Sequence, residues 1–131
     1  MAIEVTSEAL ERLLAEARAA HPHEACGILL GQGERIDRIV PADNIHPDPE
    51  RCFEIDPQAL IDAHRAERSG GPQVLGYYHS HPAGPVGPSP TDREQAAGDG
   101  RIWTIVAGGG VGFWRDAPDG FVPLSYTLAC R

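Results

Sequence analysis

The chain has 131 residues and a mass of 14.1 kDa, which is enough for one domain with its own hydrophobic core but not for two. Its net charge is −8, and its 11 basic residues are all arginines scattered along the sequence, so no basic stripe indicates binding to nucleic acid. We therefore predict a single domain over residues 1–131 that binds no nucleic acid.

The cysteines and the hydropathy pattern bear on the compartment. Cys26, Cys52 and Cys130 stand far apart without a CxxC pair, which argues against a disulfide framework and favours a reducing compartment. No apolar run approaches membrane-spanning length, and the N-terminus lacks the charged and apolar regions of a signal peptide. These features predict a soluble, cytoplasmic protein that does not bind membranes.

Apolar periodicity and turn residues predict three helices among several strands. The first helix ends at His21-Pro22, because the residue before a proline is disfavoured in an α-helix. The predicted elements, in chain order, are a strand at 3–5, a helix to residue 20, a hairpin of strands 26–30 and 35–40, a short strand at 53–55, a helix from 57 to the turn at 69–72, a strand at 74–78, a helix at 92–97, and strands at 102–107, 111–115 and 121–128.

This order of elements predicts an α+β fold, an α/β sandwich in which helices flank a mixed, largely antiparallel sheet. The segment from Pro41 to Arg51 contains three prolines and is predicted to be a surface loop outside the sheet. The strand from Val74 to Tyr78 is almost continuously apolar, which is typical of a central strand buried on both faces. It delivers His79 to its C-terminal end.

The stretch from Gly76 to Asp92 reads GYYHSHPAGPVGPSPTD and carries the main chemical signal. Side chains two residues apart on a strand leave the backbone on the same face, so His79 and His81 can bind one ion together. Asp92 offers a carboxylate within reach of the loop. Two histidines and one acid are typical of catalytic zinc with an open position for water.

Each part of this pattern, taken alone, has another explanation than a zinc site. Ser89 and Asp92 also suit a helix capping box, with Pro90 at the first helical position. The His-x-His pair occurs in amidohydrolases and PHP-type phosphoesterases as well, but those barrels need far more chain than this. A cupin would need a further histidine downstream of His81, and the sequence has none.

A catalytic zinc site also needs a base that takes a proton from the water without being a ligand. Glu24 follows the helix break and directly precedes a predicted strand, so it is the acid that best suits the end of the sheet. Glu54 and Glu94 compete for this role, and spacing alone gives Glu24 only a modest advantage.

Taken together, these segments resemble the JAMM motif of metalloproteases of the JAB/MPN domain family, here of the minimal prokaryotic type. The resemblance rests on Glu24 followed by ACGILLG, on His79-Ser80-His81-Pro82, and on Ser89-Pro90-Thr91-Asp92 seven residues further on. Asn44, the segment FEIDP after it, and Gly76-Tyr77-Tyr78 also resemble family positions. The similarity extends from about Val5 to about Ser125.

The resemblance implies a JAB/MPN (cytidine deaminase-like) fold and one zinc ion per chain, held by His79, His81 and Asp92 with a water in the fourth position. It implies that Glu24 is the general base and proton donor, and that Ser89 stabilises the oxyanion. The implied activity is that of a zinc peptidase or isopeptidase acting after the C-terminal Gly-Gly of a ubiquitin-like or sulfur-carrier protein. Cys26 is then not a nucleophile.

Two other functions remain open at this point. One is a zinc hydrolase that acts on a small-molecule amide without any carrier protein. The other is a non-catalytic JAB/MPN scaffold or binding module, although such proteins typically lack the ligand set that this chain has. The sequence does not indicate the oligomeric state or which carrier protein would be cut.

Overall fold

The computed structural model describes residues 2–130, which form three helices and seven strands. Nearly all the elements predicted from the sequence are present. Their bounds are β1 Ala2–Thr6, α1 Ser7–Ala20, β2 Cys26–Gln32, β3 Arg35–Ala42, α2 Pro57–Arg68, β4 Gln73–Ser80, α3 Pro90–Gln95, β5 Ile102–Ala107, β6 Gly110–Ala117 and β7 Gly120–Ala129.

The seven strands form one mixed sheet in the order β1-β3-β2-β4-β5-β6-β7. Strand β1 is parallel to both β3 and β7, and β4 is parallel to β5, whereas the other four pairs are antiparallel. The prediction of an α+β fold with a mixed sheet is confirmed. Because β1 also pairs with the last strand, the sheet curls into a closed barrel, which the sequence did not indicate.

Helices α1 and α2 cover two separate hydrophobic clusters. Thr6 caps α1 by accepting a hydrogen bond from the Ala9 N–H, and the helix buries Ala9 and Leu13 in the larger cluster. Helix α2 packs on a smaller cluster formed by Ile28, Leu30 and Val74. None of the helices within residues 2–130 is both long and apolar enough to cross a membrane.

Strand β4 lies between β2 and β5, as expected for a central strand. Tyr78 on this strand is 1% exposed and belongs to the larger cluster, while its neighbour Tyr77 packs against the smaller one. Alternate side chains of β4 therefore enter different clusters. This packing fixes the direction in which His79 leaves the end of the strand.

One predicted strand is absent and several predicted bounds differ from the structure, most of them by about two residues. Residues 53–55 do not form a strand, since only an isolated bridge joins Ile55 to Asn44. Strand β3 continues through Pro41, where it pairs with β2 on one side only, since β1 pairs with β3 only near Arg35 and Ile36, and proline is tolerated at such an edge. Helix α3 begins and ends two residues earlier than the predicted 92–97, because its cap is Ser89.

Close approach of β4 to β5 requires a glycine at position 76. A Cβ atom there would overlap the backbone of Ile102, and a paired strand cannot move away from it.

We expect Gly76→Ala to lower the free energy of unfolding by about 3 kcal/mol or more in urea titrations. The control is Gly87→Ala, where no atom lies within 4 Å of the added methyl group. Equal stability of the two variants would contradict this packing.

Candidate metal centre

Three side chains converge where β4 meets the start of α3. The Nε2 atoms of His79 and His81 are 3.1 Å apart, and they lie 3.0 Å and 3.2 Å from the two carboxylate oxygens of Asp92. One donor atom from each residue lies within 4.8 Å of the others. Two imidazole nitrogens and one carboxylate oxygen are a donor set that fits zinc, so these residues are able to hold one ion.

A contact with the backbone orients the His81 ring for binding a metal ion. Its Nδ1 lies 3.0 Å from the carbonyl oxygen of Pro85, which can only accept a hydrogen bond. The proton of the neutral ring therefore sits on Nδ1, and the lone pair of Nε2 points toward His79 and Asp92. Metal-binding histidines commonly have their tautomer fixed in this way.

Aromatic rings hold His79 in the interior. It is 1% exposed, its ring stacks on Phe53 with centroids 4.3 Å apart and planes 17° apart, and Trp103 meets it edge-on at 5.8 Å. Burial lowers the pKa of His79, although its hydrogen bond to Asp92 opposes the shift. The ring is thus kept in the neutral form that a metal ligand requires.

The carboxylate of Asp92 is held by the helix that it begins. The Ser89 hydroxyl accepts a hydrogen bond from the Asp92 N–H at 3.1 Å, and the Ser89 N–H donates to Asp92 Oδ2 at 2.9 Å. The predicted capping box is confirmed. Burial acts to raise the pKa of Asp92, but its close contacts with the His79 and His81 rings and the hydrogen bond from the Ser89 N–H outweigh it and hold the pKa well below its usual range. Asp92 therefore remains ionised.

Glu24 lies in the short connection between α1 and β2. It is 6% exposed, and burial raises the pKa of its carboxyl from 4.5 to about 7, with the nearby charges of His81 and Asp92 acting in opposite directions. The competing acids Glu54 and Glu94 are exposed to solvent. Of the three, Glu24 is the acid whose environment suits proton transfer near neutral pH.

A cavity of about 690 Å³ opens beside these residues, and its lining includes Glu24, His81 and Ser89. The Ser89 hydroxyl uses an oxygen lone pair to accept the Asp92 N–H, so its proton stays available as a donor. The structure thus brings the five predicted residues into one region. The roles of Glu24 and Ser89 stay predictions.

Two contributors to this region were missed by the sequence analysis. Phe53 was assigned to a strand, yet its ring stacks on His79. Asn44 was noted only for its resemblance to a family position, yet its side chain bonds to the main chain of Glu24. The resemblance of Asn44 and of the FEIDP segment to family positions was the only signal for these two residues. Cys26 is buried, and burial raises its pKa to about 12, so it is a poor nucleophile.

The sequence is similar to known peptidases over most of its length. Residues 6–117 match the family described as prokaryotic homologues of the JAB domain. The chain is 31% identical to a desampylase of Haloferax volcanii over 80% of each chain, and 41% identical to a probable TtuB-protein conjugate cleaving protease of Thermus thermophilus over 64% of this chain and 59% of that one. A CysO-cysteine peptidase of Mycobacterium tuberculosis is 29% identical over 79% of this chain and 71% of its own.

Solved structures match the fold. The solution structure of a protein from Desulfitobacterium hafniense superposes with a TM-score of 0.86 at 30% identity, covering 98% of this chain and 94% of that one. A JAB1/MPN domain protein from Archaeoglobus fulgidus superposes with a TM-score of 0.63 at 20% identity, covering 96% of this chain and 97% of the other. The predicted JAB/MPN fold is confirmed.

Because Glu24 is buried, the stability of the metal-free fold should depend on pH. Below pH 4.5 the carboxyl is protonated in both the folded and the unfolded chain, but between pH 4.5 and 7 the unfolded chain loses its proton first, so ionisation favours unfolding. In metal-free protein, Glu24→Gln should therefore stabilise the fold by roughly 2–3 kcal/mol at pH 8 and have little effect at pH 4.

Urea unfolding in the presence of a chelator at both pH values measures this difference. The exposed Glu11 on α1 provides the control, since Glu11→Gln should leave stability nearly unchanged at both pH values. A Glu24→Gln variant that is no more stable than the wild type at pH 8 would show that the carboxyl is not desolvated.

Proposed function

Because the chain belongs to the prokaryotic homologues of the JAB domain, we propose that it hydrolyses the bond after the C-terminal Gly-Gly of a ubiquitin-like or sulfur-carrier protein. It is a JAMM-type metallopeptidase, and the enzyme would use one zinc ion per chain. The convergence of His79, His81 and Asp92 is the observation that carries the proposal. When bound, zinc would lower the pKa of a coordinated water to about 7 and polarise the scissile carbonyl.

In this proposal, His79, His81 and Asp92 hold the ion, and the surrounding contacts keep them ready for it. The Pro85 carbonyl keeps the His81 lone pair directed at the centre, and burial keeps His79 neutral. The ionised Asp92 contributes one negative charge, which leaves a positive centre for the substrate carbonyl. Little rearrangement is needed when the ion binds.

Glu24 would act as the general base and then as the proton donor. It takes a proton from the attacking water and delivers it to the nitrogen of the leaving group as the carbon–nitrogen bond breaks. A pKa of about 7 suits both steps, because the group can exist in either form near neutral pH. Water attacks the carbonyl directly, so no residue forms a covalent bond to the substrate.

Ser89 would stabilise the negative charge that develops on the carbonyl oxygen. Its oxygen is anchored by the Asp92 N–H, and its hydroxyl proton can be donated to the substrate. A donor that is already oriented stabilises the transition state without reorganising during the reaction.

The names of the relatives support the choice of substrate. One is a desampylase, one is named for cleaving TtuB-protein conjugates, and one is a CysO-cysteine peptidase, so each is named for acting on a protein carrier or its conjugate. The connection from Pro82 to Pro90 lines the cavity with glycines and prolines, and few long side chains obstruct a narrow Gly-Gly tail. The three free cysteines suit a reducing cytoplasm.

Cleavage of a Gly-Gly fusion tests the proposal. Zinc-loaded protein should cleave a fusion made after the Gly-Gly tail of a carrier protein from the source genome, and a chelator should abolish cleavage. Glu24→Gln should retain zinc but lose about 100-fold to 10,000-fold in rate, because the base is gone while the ligands remain. Zinc content by mass spectrometry and product formation by gel are the measurements.

Three outcomes of this assay would argue against the proposal. Zinc-loaded wild-type protein that leaves every Gly-Gly fusion intact but hydrolyses small amides would indicate a small-molecule hydrolase. A protein that takes up no zinc but binds a partner tightly would indicate a scaffold. A Glu24→Gln variant with wild-type activity would remove Glu24 from the mechanism.

Variants of Ser89 separate its two roles. Ser89→Ala should lower kcat about 100-fold to 1,000-fold through loss of the hydroxyl donor, and should cost about 1 kcal/mol in stability through loss of the cap. Ser89→Thr keeps both the hydroxyl and the cap, so it should retain most of kcat. Equal activity of Ser89→Ala and wild type would refute the proposed role. Thermal unfolding of each variant reports the cap separately.

A further inference from the structure

We propose that Asn44 is a positioning residue for the reaction, which acts by fixing the main chain of Glu24 and the ring that packs on His79. The inference rests on the proposed function, since Glu24 is assigned there as the base. Asn44 follows β3 and lies at the start of the segment from Asn44 to Glu54, which we call the loop clamp.

The Asn44 amide makes five hydrogen bonds to the main chain. Its nitrogen donates to the carbonyl oxygens of Glu24 at 3.0 Å, Cys52 at 3.0 Å and Pro49 at 3.4 Å. Its oxygen accepts from the N–H groups of His46 and Glu54, both at 3.1 Å. One side chain thus ties both ends of the loop clamp to the segment that carries Glu24.

The main chain of Glu24 is held by this loop clamp. Its N–H donates to the Pro49 carbonyl at 2.7 Å, and its carbonyl accepts from Asn44. Strand β2 begins only at Cys26, two residues later, so the ladder does not fix Glu24. The position of the carboxyl therefore depends on the loop clamp.

Ala25, which follows Glu24, is held from the opposite side by Ser80. The Ala25 N–H donates to the Ser80 hydroxyl at 2.8 Å, and the Ser80 N–H donates to the Ala25 carbonyl at 3.0 Å. Ser80 stands between His79 and His81 in the sequence. Asn44 on one side and Ser80 on the other thus set the distance between the base and the ligands.

Asn44 also controls the ring that stacks on His79. It bonds to the carbonyl of Cys52 and to the N–H of Glu54, the two residues that flank Phe53. The Phe53 ring lies 4.3 Å from the His79 ring. The loop clamp therefore sets the position of the base and of the Phe53 ring, whereas the three candidate ligands lie on or next to β4 and on α3, outside the clamp.

The chemistry of the contacts requires an amide at this position. The carbonyl oxygens of Glu24 and Cys52 take the two amide hydrogens, the longer contact to the Pro49 carbonyl is shared with the Glu24 N–H, and the amide oxygen accepts from two N–H groups. Aspartate has nearly the same shape, but its carboxylate would face the three carbonyl oxygens without a proton to donate. Alanine would remove all five bonds.

Steady-state kinetics on Asn44→Ala and Asn44→Asp test the proposal. Both variants should lose about 10-fold to 100-fold in kcat, because a misplaced base no longer reaches the water. Both should keep KM within about twofold, since Asn44 does not contact the substrate, and both should retain zinc. The control is Leu13→Ala, a buried change in α1 that destabilises the fold away from the site and should leave kcat unchanged well below its unfolding temperature.

Hydrogen exchange gives a readout that does not depend on activity. The Glu24 N–H should exchange at least about 10-fold faster in Asn44→Ala than in wild type, whereas the Leu29 N–H in β2 should not change. A wild-type protein that cleaves no Gly-Gly fusion would overturn the proposed function, while this exchange still decides whether Asn44 fixes Glu24.

Five results would overturn the positioning role, four of them in kinetics and exchange. These are wild-type kcat in Asn44→Ala, full kcat in Asn44→Asp, an equal loss of kcat in Leu13→Ala, or unchanged exchange at Glu24. Loss of zinc from Asn44→Ala would also contradict it, because Asn44 would then support the ligands rather than the base.

Discussion

The account depends on the position of the Asp92 carboxylate between two imidazole rings. Each of its oxygens lies within 3.2 Å of a histidine Nε2, and one of them also accepts the Ser89 N–H. These contacts join the end of the central strand to the first turn of α3 across a proline-rich connection. The capping box that starts the helix therefore also orients the acidic donor of the metal centre.

The polar groups at this centre are buried at a cost to stability. Glu24, His79, Ser80 and Asp92 all belong to the buried set, although carboxyl and imidazole groups are usually exposed. Desolvation raises the pKa of Glu24 and lowers that of His79, and both shifts suit the proposed roles better than ordinary values would. The closed sheet and its two hydrophobic clusters supply the rigidity that holds these groups together.

Local patterns in the sequence predicted most of the fold and the core of the site. Helical spacing, the stop at His21-Pro22, and the period of two that puts His79 and His81 on one face are properties of neighbouring residues. Closure of the barrel by β1 and β7 could not be predicted, because it pairs Ile3 with Tyr126 across almost the whole chain. The bonds of Asn44 were missed for the same reason: they join main-chain groups of distant segments, and main-chain groups leave no mark in the sequence.

Crystals of the zinc-loaded protein, measured at the zinc absorption edge, test the central claim most directly. The account predicts one anomalous peak per chain, about 2.0–2.2 Å from His79 Nε2, His81 Nε2 and a carboxylate oxygen of Asp92, with the Glu24 carboxyl facing the open coordination position. An ion bound elsewhere, fewer than three of these ligands, or a Glu24 carboxyl turned away from the ion would contradict it.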